Sequence, residues 1–319
     1  MNYQSKKETR MPKISVLMSA FNAEKYIGET IDSVLGQSFI DFEFIIINDG
    51  STDQTEVIIK KYNDERIRYF YQENSGLSKA LNFGLKISEG DYIARIDADD
   101  LCYRNRLEIQ LEFMENNPDY VVCGSYTDVI DENGKFIYQY SGIPSLNKDI
   151  QLEMKIKNCI VHSSSFYTRD AALKINGYYE PIKQYFEDYM FFSQIIKIGK
   201  AFNFDYSLIK YRVTPGSIST RTKDKKYDKL VKDVIKRGFI LDDEKVYLFS
   251  LKAKKSKKYI QLSNHYLTLS RLILTYQKDY VNSILSFTQA VKIYPFNMNI
   301  LYTAGFLIIE GFKLKMKKK

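Results

Sequence analysis

Apolar and polar positions alternate along the first 125 residues in blocks that switch between two periods. "KISVLMSAFN" (13 to 22) is an apolar run that predicts a strand, and in the "AEKYIGETIDSVLGQSF" behind it Ile27, Ile31, Val34 and Leu35 recur at helical spacing. Asn22 stands in front of that helix as its expected N-cap. "EFIIIN" (43 to 48) is apolar throughout, as in a strand covered on both faces. "DGSTDQT" then turns the chain and caps a helix over "EVIIKKY". The same alternation predicts strand "IRYFY" (67 to 71), helix "GLSKALNFGLKI" (76 to 87) and strand "DYIARI" (91 to 96). Helix "RNRLEIQLEFMEN" (104 to 116) and strand "YVVCGS" (120 to 125) continue it. Repeated strand and helix units of this length predict an α/β fold with a mainly parallel, twisted sheet flanked by helices.

Between 126 and 218 the regularity breaks up. "DENGK" (131 to 135) predicts a hairpin turn, and "EDYMFFSQIIKIG" (187 to 199) a helix ending at Gly199. Beyond Arg221 the pattern is helical and rich in lysine. The expected organisation is a polar tail over 1–11, an α/β domain over 12–221, and a basic helical appendage over 222–319. Within the appendage, "SNHYLTLSRLILTYQ" and "DYVNSILSFTQAVKIYP" predict a helical hairpin.

Composition changes the picture in two ways. With 45% apolar and 14% aromatic residues, the chain is globular rather than disordered. Its net charge of +8 is unevenly spread, since residues 220 to 319 hold 22 Lys and Arg against 8 Asp and Glu, and residues 1 to 219 hold 25 against 31. The rear segment joins "LKAKKSKKY" to the apolar "ILYTAGFLIIEGF" and the lysine run "KLKMKKK", a combination suited to an anionic membrane surface. No nucleic-acid motif accompanies the charge, so nucleic acid is not an expected partner. The longest nearly uncharged apolar run, "MNILYTAGFLII", falls short of the roughly 18 residues that span a bilayer. Three cysteines without CxxC spacing, and the polar "MNYQSKKETRMPK" in place of a signal peptide, lead to the expectation of a cytoplasmic protein, peripheral at the cytoplasmic membrane face.

The chemistry gathers at predicted strand ends, where open α/β sheets bind ligands. "DADD" puts Asp97, Asp99 and Asp100 within four positions after an apolar strand, and Asp49 ends a second strand. Such crowding of like charge calls for a cation among it: a metal ion, an arginine or a lysine. Mn²⁺ and Mg²⁺ accept one or two protein carboxylates and complete their shells with water and phosphate. A dinucleotide oxidoreductase would need GxGxxG after the first strand, where "SAFNAE" has no glycine. A phosphatase built on DxD would leave the later "ED" unexplained.

"SVLMSAFNAEKYIGETIDSVLGQSFIDFEFIIINDGSTD", "ENSGLSKALNFGLKISEGDYIARIDADD" and "FEDYMFF" resemble the successive signatures of family 2 glycosyltransferases, inverting enzymes of the GT-A fold, over residues 12 to 220. The resemblance implies a nucleotide-sugar donor, a UDP-hexose or UDP-N-acetylhexosamine, and Mn²⁺ or Mg²⁺ as cofactor. It implies a saccharide acceptor, lipid-linked or part of a surface polysaccharide. Ser19 and Phe21, with Asn22 beside them, would line the nucleotide pocket, and Asp49 would bond the nucleobase. Asp97 and Asp99 would hold ribose and metal, and Asp188 would be the base. Lys79 and Arg212 match positions that meet the diphosphate. Thr214 stands where relatives often carry a histidine, so the third metal position falls to water. Without the resemblance, Glu187 and Asp188 read as the acidic first turn of a helix. His162 reads either as a satisfied buried histidine or as a contact to phosphate or acceptor. A catalytically silent nucleotide-sugar-binding protein of the same fold would keep the pocket and need no base.

Overall fold

The computed structural model describes residues 11–180, 186–214, 229–230, 233–235, 237 and 258–316. The expected boundary at 221/222, nearly all of the polar tail, most of "LKAKKSKKY" and the last three lysines lie outside the described residues. Four strands make the parallel part of the sheet: β1 (Ile14–Ala20), β2 (Phe42–Asp49), β3 (Ile67–Gln72) and β4 (Tyr92–Arg95), in the order β3-β2-β1-β4. Every residue of β2 is buried, which is why its sequence lacks alternation. The period of two is nonetheless at work. Ile14, Val16, Met18, Phe44 and Ile46 fill the core on one face, while Leu17, Ile45 and Ile47 fill the core on the other.

Helices α1 (Ile27–Leu35), α2 (Thr55–Ile59) and α3 (Leu77–Ile87) link these strands. α1 begins at Ile27, the first of its spaced apolar positions, rather than directly behind Asn22, and Asn22 does not cap it. The N-cap is Tyr26, and Asn22 sits at φ +50° with its Oδ1 accepting from the Thr52 amide at 2.8 Å. Asn22 therefore ties the end of β1 to the "DGST" turn after β2. In that turn Gly50 has φ +74°, and a Cβ there would lie 2.6 Å from the Asn74 amide nitrogen, so only glycine fits.

Past β4 the chain adds β5 (Leu101–Cys102), α4 (Arg106–Asn116), β6 (Tyr120–Ile130), β7 (Phe136–Tyr140), α5 (Asn147–Glu153), β8 (Phe166–Thr168), α6 (Arg169–Lys174), α7 (Glu187–Ile195) and β9 (Lys200–Arg212). The sheet continues β4-β8-β6-β9-β5, with β7 paired to β6. β8 runs antiparallel to both β4 and β6, so the sheet is mixed beyond its parallel half. The "DENGK" turn joins β6 to β7, with Gly134 at φ +81°. α7 ends at Ile195, before Gly199, because the chain unwinds through a turn to enter β9.

The appendage contains α8 (Lys258–Leu272), a π-helical turn (Ile273–Gln277), α9 (Tyr280–Ile293) and α10 (Asn299–Met316). It docks on the β6–β7 hairpin. Leu269 joins Val129, Ile137 and Val213 in a small core, and the Tyr276 ring stacks on Tyr138 at 4.0 Å. Gln277 Nε2 donates to the carbonyls of Phe136 and Ile137, and the Tyr266 hydroxyl donates to Glu132 Oε1.

Candidate active site

β4 delivers Arg95, Asp97, Asp99 and Asp100 to one end of the sheet. The Arg95 side chain is fully buried, and its Nη2 lies 2.5 Å from Asp97 Oδ1. Its Nε and Nη1 are buried with no hydrogen-bond partner among the described residues. Asp97, one third exposed, also has its amide donating to Ser163 Oγ at 3.0 Å. Burial and the neighbouring Asp97 push the Asp99 carboxyl up to about 7, and burial beside Asp99 and Asp97 drives Asp100 well above the carboxylate range. Arg212, the other buried arginine here, knits the turn together. Its amide donates to Asp100 Oδ1 (2.8 Å), its Nε to the Asp99 carbonyl (2.9 Å), and its Nη2 to Glu29 Oε2 (2.7 Å). Part of the cation demanded by "DADD" is thus supplied by arginine.

α7 opens with Glu187 and Asp188, both lining a cavity of about 430 Å³. Arg95, Asp97, Asn158, His162 and Ser163 line the same cavity, as do Tyr138, Tyr140 and Tyr211. Burial followed by the charge of Asp188 raises the Glu187 carboxyl to about 8, and Glu187 Oε2 has no hydrogen-bond partner among the described residues. Asp188 rises only to about 6 because burial is opposed by bonds to its charged form. The Tyr189 amide donates to its Oδ1 at 2.7 Å and Asn158 Nδ2 to its Oδ2 at 2.8 Å. Both carboxyls are held above the ordinary carboxylate range, Glu187 further than Asp188. His162 opens a short 3₁₀ turn (His162–Ser164), and its Nε2 is 2.9 Å from the Tyr178 hydroxyl. Burial and the charge of Arg95 hold its pKa well below the usual histidine value, so the imidazole is neutral. It is both satisfied and on the cavity wall.

A family model described as glycosyl transferase family 2 matches residues 15–175. This chain belongs to glycosyl transferase family 2. It is 32% identical over 214 residues to an uncharacterised glycosyltransferase of Rickettsia typhi, covering 65% of this chain and 66% of that one. It is 37% identical over 168 residues to the O-antigen biosynthesis glycosyltransferase WbnJ of Escherichia coli, covering 52% and 65%. The matched region thus spans just under two thirds of either relative's length. Among solved structures, S. aureus TarS 1-349 in complex with UDP-GlcNAc shares the fold at TM-score 0.59 and 19% identity, over 88% of this chain and 89% of that one.

In this family 2 chain the remaining candidates lie outside the cavity lining. Ser19, near the end of β1, is half-buried, and Phe21 and Asn22 are exposed. Asp49 ends β2 with both carboxylate oxygens engaged. Oδ1 accepts from Gln72 Nε2 (2.7 Å) and the Ser75 amide (2.9 Å), and Oδ2 from the Gly76 amide (2.9 Å). These bonds set the loop that starts α3, whose first turn carries the exposed Lys79. Among the described residues no three His, Cys, Asp or Glu side chains converge as a metal-binding group. Asp97 and Asp99 still fit a divalent ion: they are close enough for the charge of Asp97 to add to burial in raising the Asp99 carboxyl, and Asp100 Oδ2 beside them has no geometric hydrogen-bond partner among the described residues. A separate groove of about 610 Å³ beside α2 and β3, lined by Lys60, Asp64 and Tyr69, contains none of the candidates.

Arg95, Asn158, Ser163 and the tyrosines of β6–β7 escape the sequence reading. Arg95 alone leaves a trace there: a charged residue inside the apolar "YIARI", which must be paired if the strand is buried.

Proposed function

We propose that this protein is an inverting glycosyltransferase that moves a sugar from a UDP-hexose or UDP-N-acetylhexosamine to a saccharide hydroxyl. The observation that carries it is the pair of unequal carboxyls at the start of α7, facing Arg95 and Asp97 across one cavity. Asp188 takes the acceptor hydroxyl proton while the acceptor oxygen forms its bond to the anomeric carbon. The bond from that carbon to the diphosphate breaks on the opposite face, and its electron pair leaves with the nucleotide. One displacement inverts the centre. Asn158 and the Tyr189 amide hold the Asp188 carboxylate in orientation. Asp97 and Asp99 would hold Mn²⁺ or Mg²⁺, which when bound neutralises charge on the departing diphosphate. Arg95 brings a fixed charge to the same place, with two donor nitrogens awaiting acceptors. Ser19, Phe21, Asn22 and Asp49 form the nucleoside side, with Lys79 and Arg212 near the diphosphate. The UDP-GlcNAc complex of TarS and the O-antigen role of WbnJ support this choice of donor and acceptor class. We place the acceptor at an anionic membrane, as a lipid-linked or surface-polysaccharide intermediate.

The test is release of UDP from UDP-glucose, UDP-galactose, UDP-GlcNAc and UDP-GalNAc by the purified chain, with Mn²⁺ and with EDTA. Slow Mn²⁺-dependent hydrolysis of one donor is expected. Tight UDP-sugar binding with no turnover of any of the four would leave a silent binding protein instead.

A further inference from the structure

The lining of the cavity is of two kinds. Arg95, Asp97, Glu187 and Asp188 are charged, whereas Tyr138, Tyr140, Tyr211, Val129 and Ile143 come from β6, β7, β9 and the loop after β7, with Tyr138 and Tyr211 the strand partners of Val129. We infer that Tyr138, Tyr140 and Tyr211 form a stacking platform for a sugar ring of the acceptor, and that Tyr276 of the appendage fixes its outer edge. The inference rests on the glycosyl-transfer reading and deepens it by giving the acceptor a place.

The chemistry of the wall selects the ligand. A sugar ring has an apolar C–H face and a rim of hydroxyls, and this lining joins three tyrosine rings to polar groups, the tyrosine hydroxyls, Thr127 and Asn158. A purely aliphatic chain would cover those polar groups without pairing them. At about 430 Å³ the cavity lies within the roughly 300–1,000 Å³ of small-molecule sites. Burial holds the Tyr138 hydroxyl up at about 12, so it stays a hydrogen-bond donor.

Tyr276 does not line the cavity, and it is 53% exposed. Its ring lies nearly parallel to that of Tyr138, at an interplanar angle of 8°. Gln277, next in the chain, clamps two carbonyls of β7. Tyr276 is therefore a positioning residue: it leaves the ligand alone and holds Tyr138 at one angle.

The experiment titrates the full chain, saturated with UDP and Mn²⁺, with the methyl glycosides of glucose, galactose, N-acetylglucosamine and N-acetylgalactosamine, followed by ligand-observed NMR. At least one glycoside should bind, with contact at its ring C–H protons. Its affinity should fall about two- to tenfold in Tyr140→Ala and Tyr276→Ala, the range for one lost aromatic stack, and return in Tyr276→Phe. Tyr276 is half exposed, so its replacement spares the fold, and UDP affinity in the same samples reports the donor side. UDP binding with no glycoside contact, or with glycoside affinity unchanged in both alanine variants, overturns the platform. Glycoside binding that follows the predicted pattern while UDP fails to bind would strike the donor reading and leave the platform standing.

Discussion

Glu187 and Asp188 are consecutive residues on one helical turn, yet bonds to the charged form oppose burial at Asp188 while Glu187 Oε2 has no such partner among the described residues, so Glu187 is pushed further towards its protonated form. Replacing Asp188 with Asn removes the proton acceptor and keeps the shape. Sugar transfer should fall by about 10²- to 10⁴-fold while UDP-sugar affinity, measured by calorimetry, stays within about twofold. Glu187→Gln mimics the protonated form that burial favours, so its loss should be much smaller. Glu187 also makes a statement about stability. Its folded pKa of about 8 lies above the ordinary glutamate value of 4.5, so between those limits the native state holds a proton that the unfolded chain has released. Its contribution is present below about pH 4.5 and is lost as pH rises towards 8. The melting temperature of the parent should therefore drop relative to Glu187→Gln across that window, as read by thermal shift from pH 5 to 9. The acidic motifs were legible in sequence because carboxylates at strand ends are conspicuous. The unlike titration of this pair was not, since Arg95 and Asn158 reach it from 92 or 93 and 30 residues away.

At the scale of elements, the strand and helix alternation to residue 125 could be read because period and length are local properties. α3 illustrates what local reading leaves out. Gly84 looks like an interruption of a good helix, but a Cβ there would lie 2.2 Å from Leu17 Cδ1 on β1. The glycine lets the helix settle onto the sheet beneath Asp49's loop. Gly84→Ala should gain helix propensity and still destabilise the fold by about 1–3 kcal/mol through overpacking, visible as a lower urea midpoint. β6 was longer than its sequence suggested, and β8 is a three-residue strand, because both are set by pairing across the sheet. Phe166 meets Ala94 on one side and Cys123 on the other, contacts that no sequence period encodes.

For the whole molecule, the charge asymmetry is joined by an outward apolar stripe. Leu301, Tyr302, Ile308 and Ile309 recur on one side of α10, with Met298 just ahead of it, and all five are 56–83% exposed, while Thr303 and Leu307 are buried. "KLKMKKK" follows. Among the described residues no helix is long and apolar enough to cross a membrane. This arrangement suits a helix lying in the headgroup layer of an anionic bilayer. The chain should co-sediment with phosphatidylglycerol vesicles and hardly with phosphatidylcholine. Added salt, or Leu301→Asp with Ile308→Asp, should release it. Sedimentation indifferent to all of these would remove the membrane from the account.

The docking of the appendage on the β6–β7 hairpin has a consequence for how the protein is made. Synthesis runs from the amino end, and domains fold largely as their residues leave the ribosome. β1 to β4, Asp49 and the "DADD" turn all emerge long before Tyr266, Tyr276 and Gln277, the residues that pin the hairpin from behind. During that interval the β6–β7 hairpin, which carries Tyr138 and Tyr140 of the cavity lining, is without these contacts. Completion of the hairpin's packing is therefore tied to translation of residues 266–277, so that a chain released before them would carry Asp97 and Asp188 with Tyr138 lacking the ring stacked on it.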